Sequence, residues 1–504
     1  MDEQTKNKEA QSSYRSIFKA TSLFGGVQIW KILINIVKQK FIAILLGPTG
    51  MGISGLFLSA TSFVQSFTAM GLSTSAVKNV AEAAATGDTK RVNRVVATLR
   101  KLVWITGLLG TVVVIVLSPV LSKSSFGNYD YTIPFIFLSV TLLFHQLSAG
   151  QSVLLQGLRR LRHLALSGVL GSLFGLLFSV PIYYFFGVKG IVPTLILDSV
   201  TAVLLTWYFA RKIPIDCPKM TFKETVVEGK NMLGMGLSMS LTNILTLGIA
   251  YLLRVFIARE GGTDQVGLYT AGFAIVNTYI GMVFTAMSTD YYPRLSSVNK
   301  DNTKCRELIN QQAEIATLLV APLALVFILF APLIIKILYT DAFLGVVSFM
   351  QLCMLGMLFK AGSWSISFVF LAKSDMRQFI FNEVLIKIIN VPMYLLSYKY
   401  YGLFGMGVAY ILNYFIYMIL VYVVSKRKFD FTFSTDYKKQ LLVFGVLLAA
   451  TFLTLILLPN KIVSYSISSL CVIAGVIYSL FKLNNKLNLK SFAISILSRN
   501  KEGK

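Results

Sequence analysis

Long apolar runs separated by short polar segments organise this chain. Each run is long enough to cross a bilayer as a helix, which takes about 20 residues. Hydrophobic residues make up 55% of the 504, and charged residues only 14%, as is typical of membrane proteins. The pattern predicts an all-α integral membrane protein with about 14 transmembrane helices, at residues 21–46, 52–77, 98–121, 132–157, 164–186, 190–210, 232–258, 266–290, 308–337, 343–371, 377–400, 403–425, 440–458 and 462–482.

Lysine and arginine are distributed unevenly between the two sides that these spans define. Of the 47 such residues, six lie in the loops of one side, namely Lys123, Lys189, Arg259, Lys336, Lys399 and Lys461. Most of the others lie in the termini and in the opposite loops. Because positively charged loops stay in the cytoplasm, we expect both termini to be cytoplasmic. The net charge of +25 therefore indicates orientation and contact with anionic lipid head groups, not a nucleic acid partner.

The chain also repeats itself at an offset close to 215 residues. The matching positions include Gly52 and Gly267, Ser73-Thr74 and Ser288-Thr289, Pro181 and Pro392, and Gly187-x-x-Gly190 and Gly402-x-x-Gly405. Six spans, an even number, separate the copies, so both copies have the same orientation in the membrane. The repeat predicts two parallel six-helix bundles around a central cavity, an arrangement typical of transporters.

The repeat also sets the predicted domain boundaries. The last two spans lie outside it and form an additional helix pair. The predicted segments are a cytoplasmic N-terminal tail at 1–20, an N-terminal bundle at 21–210, a cytoplasmic linker at 211–231, a C-terminal bundle at 232–425, a linker and helices 13 and 14 at 426–482, and a cytoplasmic tail at 483–504.

The first span carries a polar stripe on an otherwise apolar helix. At 100° per residue, Gln28, Lys31, Asn35 and Lys38 fall within an arc of about 80°. A lysine at mid-bilayer costs several kcal/mol unless it faces a polar interior. We therefore expect the stripe to line a wet cavity and Lys31 to belong to a functional site. Lys40, nearer the end of the span, has the alternative of reaching the membrane surface.

Several later spans also contain charged residues. The candidates are the cations Arg254, Lys360 and Lys387 and the acids Asp198, Asp290 and Glu383. Convergence of Lys31, Arg254 and Lys360 would create a site for an anion, and phosphate or pyrophosphate suits such a cluster. The three acids are candidates for gating or ion coupling. Glu383 and Lys387, four residues apart, would alternatively form a structural pair within one helix.

Enzymatic and metal chemistry receive little support from the sequence. Its four cysteines are scattered, it has only two histidines, and it contains no HExxH or DxD motif. We therefore predict no catalytic residues, no metal site and no cofactor. A membrane glycan polymerase would need a carboxylate cluster that we do not find. A cation-coupled multidrug antiporter would need an acid in the first bundle's cavity, for which Asp198 is the sole candidate.

Several motifs together resemble those of Wzx-type polysaccharide flippases of the MOP exporter superfamily. They are Gly47-Pro48-Thr49-Gly50-Met51-Gly52 leading to Met70-Gly71, Arg254 thirteen residues before Gly267, Tyr292-Pro293-Arg294-Leu295, Lys360-Ala361-Gly362, Glu383 and Lys31. The resemblance covers about residues 15–425. The additional pair 440–482 departs from the shorter members of the family and is similar in count to the lipid II flippases.

This resemblance implies a substrate and a location. The substrate would be an undecaprenyl-pyrophosphate-linked oligosaccharide, such as an O-antigen unit or lipid III. It would move from the inner to the outer leaflet of the bacterial inner membrane by alternating access. Membrane lipids, and possible contacts with a glycan polymerase and chain-length machinery, are the partners that the resemblance implies.

Overall fold

The predicted all-α fold is confirmed in the computed structural model. It describes the backbone of residues 3–216, 218 and 220–487, and within these the side chains of all but 3–29, 231, 235, 238, 239, 279, 289 and 487. Over this part of the chain there is no strand. The helices are α1 Glu3–Thr68, α2 Leu72–Ala85, α3 Thr89–Phe126, α4 Thr132–Gly157, α5 Leu161–Phe186, α6 Ile191–Ala210, α7 Phe222–Ile275, α8 Gly281–Ser297, α9 Asn302–Leu338, α10 Val347–Ala372, α11 Met376–Phe429, α12 Thr435–Leu457 and α13 Lys461–Leu487.

Ten helical stretches of the described residues are long and apolar enough to cross a membrane. Four of them contain an internal break or turn, in α1, between α5 and α6, in α7 and in α11. If both sides of each break cross separately, the count equals the predicted 14, which stays a prediction. The helix pair α12 and α13 follows the repeat. Of the predicted tail at 483–504, residues 488–504 lie outside the described residues.

The breaks recur at the repeat offset with the same backbone geometry. Gly47 (φ 63°, ψ −169°) corresponds to Gly262 (φ 82°, ψ 174°). Gly187 (φ 53°, ψ −132°) corresponds to Gly402 (φ 57°, ψ −143°). Side chains other than hydrogen rarely tolerate these dihedrals, so glycine is required where each pair of spans is joined.

The first pair of breaks meets in a contact that we call the glycine seam, residues 47–52 and 262–267. A Cβ atom on Gly52 would lie 1.9 Å from the carbonyl oxygen of Thr263, and one on Gly267 would lie 1.9 Å from that of Pro48. Thr49 donates a hydrogen bond to Asp264, its equivalent 215 residues on. Contact between equivalent positions is what a two-fold relation between the two segments produces.

Two boundaries differ from those expected. The predicted span 52–77 is interrupted because α1 ends at Thr68 and Gly71 adopts a left-handed conformation before α2 (φ 62°). A Cβ atom on Gly71 would lie 2.2 Å from the carbonyl oxygen of Gly236, so the turn also allows close backbone packing. In addition, α7 begins at Phe222, inside the predicted linker 211–231.

The chain divides into two compact units. The first comprises the residues up to Gly267 together with Leu338–Thr340, and the second comprises Leu268–Ile337 and the residues from Asp341 on. One core cluster of the first unit surrounds Phe57 and Phe135. In the second unit, the carboxylate of Glu314 in α9 accepts a hydrogen bond from Ser434 (2.5 Å) and pairs with Lys486, which ties α12 and α13 to the rest of that unit.

Candidate functional site

A polar cavity of about 490 Å³ lies within the first unit, between α1, α4, α5 and α6. We call it the polar cavity. Its walls combine two lysines, one acid, one asparagine, small hydroxyl side chains and glycines. The lining includes Lys31, Asn35, Lys38, Ser148, Ser152, Ser167, Gly168, Gly171, Ser172, Gly175, Asp198 and Thr206. A volume of this size is typical of small-molecule sites in proteins.

Helix α5 leaves space in the cavity because three of the residues that it presents there are glycines, beside the larger Leu164. Gly168, Gly171 and Gly175 follow one another at intervals of three and four residues, so they share one helix face. The hydroxyl of Ser172 donates to the carbonyl of Gly168 (3.1 Å), which satisfies its proton inside the membrane. Its oxygen can still accept a hydrogen bond from a ligand. This wall therefore offers polar groups with little desolvation cost.

The first helix supplies the cations of the cavity. Lys31, Asn35 and Lys38 all line it, as expected for residues on one stripe of α1. The side chain of Gln28, the fourth member of the predicted stripe, lies outside the described residues. Lys40 does not line the cavity and donates to the carbonyl oxygen of Tyr339, and its reach to the membrane surface stays a prediction. The roles of Lys31, Asn35, Lys38 and Gln28 in binding a substrate stay predictions.

The acid of the cavity, Asp198, forms an ion pair with Lys38. The distance from Lys38 Nζ to Asp198 Oδ2 is 2.6 Å, and the two side chains are 17% and 28% exposed. Among the described residues, Asp198 pairs with Lys38, and no ion pair to Lys31 is present. Asp198 therefore lies in the wall of the polar cavity, and its role in coupling transport to an ion gradient stays a prediction.

The other predicted cations are not among the residues that line this cavity. Arg254 donates from Nη1 to the carbonyl oxygen of Ala250 in its own helix (3.0 Å) and is not part of the cavity wall. Lys360 belongs to the second unit. There its Nζ lies 5.5 Å from the ring centre of Phe284 and 5.3 Å from that of Tyr414, within the range of a cation–π interaction. Convergence of Lys31, Arg254 and Lys360 stays a prediction.

The two remaining acids form ion pairs within their own helices. Glu383 lies 3.5 Å from Lys387 and accepts a hydrogen bond from the hydroxyl of Tyr417 (2.7 Å). This geometry matches the alternative of a structural pair. Asp290 is exposed and pairs with Arg294 at 3.1 Å, also four residues apart. A gating or coupling role for either acid stays a prediction.

The part of the cavity lining that α5 provides, with Gly168, Gly171 and Gly175, was not predicted from the sequence. The glycine spacing was a visible signal, because three glycines on one helix face leave a groove. The pairing of Lys38 with Asp198 had no such signal, since 160 residues separate them. Among the described residues, no three His, Cys, Asp or Glu side chains group as metal ligands would.

Comparison with solved structures identifies the class of fold. The lipid II flippase MurJ, in its inward closed conformation, superposes with a TM-score of 0.68 at 14% identity, covering 92% of this chain and 99% of MurJ. An inward-facing multidrug resistance MATE family transporter of the MOP superfamily gives a TM-score of 0.67 at 16% identity, covering 81% and 96%. The chain therefore has the fold of the MOP superfamily.

Sequence comparison then identifies the family. Residues 41–348 match the family described as polysaccharide biosynthesis protein, which is more than half of the chain, so the chain belongs to this family. It is also similar to the lipid III flippase of Escherichia coli (strain K12), with 23% identity over 425 residues that cover 82% of this chain and 100% of the relative. The resemblance predicted from the motifs is confirmed.

Proposed function

We propose that the protein is a flippase that moves an undecaprenyl-pyrophosphate-linked oligosaccharide from the inner to the outer leaflet of the bacterial inner membrane. Membership of the polysaccharide biosynthesis family supports this class of substrate. The single observation that carries the proposal is the polar cavity, where Lys31 and Lys38 face hydroxyl groups inside an apolar unit. The anionic part of the head group needs cations such as the lysines, and its attached sugars need hydrogen-bonding groups such as the hydroxyls.

The chemistry of the cavity suits the two parts of such a head group. Lysine ammonium groups bind phosphoryl oxygens through charge-assisted hydrogen bonds. Asn35, Ser148, Ser152 and Thr206 offer donors and acceptors for sugar hydroxyls. The polyprenyl chain needs no polar site, since it stays in the lipid while the head group crosses. Recognition would therefore depend on the head group rather than on the tail.

The translocation step that we propose is alternating access. With both termini cytoplasmic, the glycine seam would lie on the outer side of the membrane. Its closed contact between Gly52 and Gly267 would keep that side shut while the substrate enters from the inner leaflet. Opening of the seam would then release the head group outward. Net export requires a sink or a gradient, and a downstream glycan polymerase with its chain-length machinery would supply the sink.

Substitution of Lys31 tests the proposed function. Lys31→Ala should abolish complementation of a strain that lacks glycan export, because one charge-assisted contact of about 1.5–3 kcal/mol is lost. Lys31→Arg should retain function because a cation remains. Lys78→Ala, which removes a lysine from the surface of α2, is the matched control and should behave as wild type. Full export by Lys31→Ala at normal expression would refute the role of Lys31.

A cation-coupled antiporter for drugs or other small molecules is the second candidate. Asp198 favours it, because this acid lines the cavity of the first unit as that function requires. The two lysines beside it favour an anion instead, since they leave the cavity with more positive than negative charge. An antiporter would lower drug accumulation in cells, and Asp198→Asn would remove that effect without affecting glycan export.

A further inference from the structure

The ion pair between Lys38 and Asp198 holds a carboxylate where the polar cavity would bind an anion. Asp198 Oδ2 lies 2.6 Å from Lys38 Nζ, which is the position that a phosphoryl oxygen would take on this lysine. The other carboxylate oxygen, Oδ1, is buried and has no hydrogen-bond partner among the described atoms. A carboxylate with one unsatisfied oxygen is held less firmly than one with both oxygens satisfied.

The pair is open to the cavity because helix α5 leaves room beside it. A Cβ atom on Gly175 would lie 3.0 Å from Asp198 Oδ1 and 3.2 Å from Lys38 Nζ. The titratable groups that act on Asp198 are Lys38 from α1, His145 from α4 and Tyr183 from α5, and Lys31 lines the same cavity. Asp198 is the only acid among the residues that line this cavity.

The charged side chains that line the cavity would not neutralise a bound pyrophosphate diester. Lys31 and Lys38 are positive and Asp198 is negative, so the side chains that line the cavity have one positive charge in excess. A diester of pyrophosphoric acid carries one negative charge on each of its two phosphoryl groups. Its binding would reverse the excess to one negative charge, which is unfavourable in a medium of low dielectric constant. One added proton restores neutrality.

We propose that Asp198 is a built-in counter-ion that the pyrophosphate displaces from Lys38, and that the displaced carboxylate takes up one proton. The proton comes from hydronium in the cavity water, which becomes water, and no bond of the substrate forms or breaks. When the substrate leaves, Asp198 loses the proton and pairs with Lys38 again. This inference rests on the proposed function and adds to it a defined proton linkage at one residue.

Calorimetric titration of the full-length protein in detergent tests the linkage. The probe is a short-chain prenyl pyrophosphoryl N-acetylglucosamine, titrated at several pH values in buffers with different ionisation enthalpies. We expect wild type to take up about one proton per bound probe, and its affinity to fall by up to about tenfold per pH unit as the pH rises. Binding without proton uptake would overturn the inference and leave the proposed function standing. No binding would overturn both.

Two substitutions assign the proton to its residue. Asp198→Asn should bind the probe at least as tightly as wild type, with no proton uptake and no pH dependence, because Lys38 is then free at every pH. A purely structural Asp198 would instead give weaker binding with the uptake unchanged, which would overturn the inference. Asp198→Glu should keep the uptake, which guards against misfolding of the asparagine variant. His145→Gln should also keep it, and its loss there would assign the proton to His145 and refute the proposal.

Discussion

The two copies of the repeat differ in how the charged side chains of their apolar helices form ion pairs. In the first copy, the pair Lys38–Asp198 joins two helices, α1 and α6, and lies in the wall of a cavity. In the second copy, the pair Glu383–Lys387 lies along one helix, α11, and Tyr417 adds a hydrogen bond to it. The same backbone plan thus carries a pair between two helices in one copy and a pair within one helix in the other.

The equivalent positions explain this difference. At the offset of 215, Gly168 and Ser172 of the polar cavity correspond to Glu383 and Lys387, and Asp198 corresponds to Asn413. On helix α5 the first copy has the small residues Gly168 and Ser172, whereas on α11 the second copy has long charged side chains at the equivalent positions. Space for a ligand therefore exists in the first copy because side chains are absent there, and the charges on the neighbouring helices are left to face that space.

Transfer of the second copy's pair into the first should have the largest effect. The double variant Gly168→Glu/Ser172→Lys would place two long side chains in the polar cavity, while their mutual pairing would limit the cost to folding. We expect glycan export to fall to the level of a strain without the protein, at near-normal membrane expression. The control is Lys78→Glu/Glu82→Lys, which places the same Glu–Lys pair on the exposed face of α2 and should leave export unchanged. Export by the cavity variant would show that this cavity is not the substrate path.

The glycine seam offers a test in which the two copies should behave alike. Gly52→Ala and Gly267→Ala each place a methyl group against a backbone carbonyl, at 1.9 Å before any relaxation. Overpacking of this kind costs about 1–3 kcal/mol. We expect both variants to lose export to a similar degree and to increase labelling of an engineered cavity cysteine from the outside. Gly281→Ala, at a helical glycine with open space around the added methyl group, controls for the glycine change itself. Unequal effects at Gly52 and Gly267 would contradict the symmetric contact.

Neutralisation of the second copy's pair should have the smallest effect. Glu383→Gln/Lys387→Met keeps an acceptor for the hydroxyl of Tyr417 and replaces the ion pair with side chains of similar size. Such replacements are often neutral, so we expect a change in unfolding free energy within about 1 kcal/mol and nearly normal export. The measurements are thermal stability in detergent and complementation. Loss of export by a stable protein would instead identify Glu383 as a coupling residue.

The helices and the polar stripe follow from the amino-acid sequence alone, because both depend on local properties. Apolar runs of sufficient length fold as helices in a bilayer, since every backbone group must be satisfied within the segment. The period of the helix alone places Lys31, Asn35 and Lys38 on one side of α1. Two of the glycines that break the helices, Gly187 and Gly402, were also visible as repeated positions, since positive φ angles demand glycine.

Which charged and polar side chains meet depends on how the helices pack together. Lys38 pairs with Asp198 across 160 residues, and Thr49 bonds to Asp264 across 215, because helix packing brings these positions together. No local period encodes such distances. The same holds for the polar cavity, which needs the glycines of α5, the lysines of α1 and the acid of α6 to face one space. Side-chain identity on each helix is a property of the sequence, whereas the neighbours of each side chain are a property of the fold.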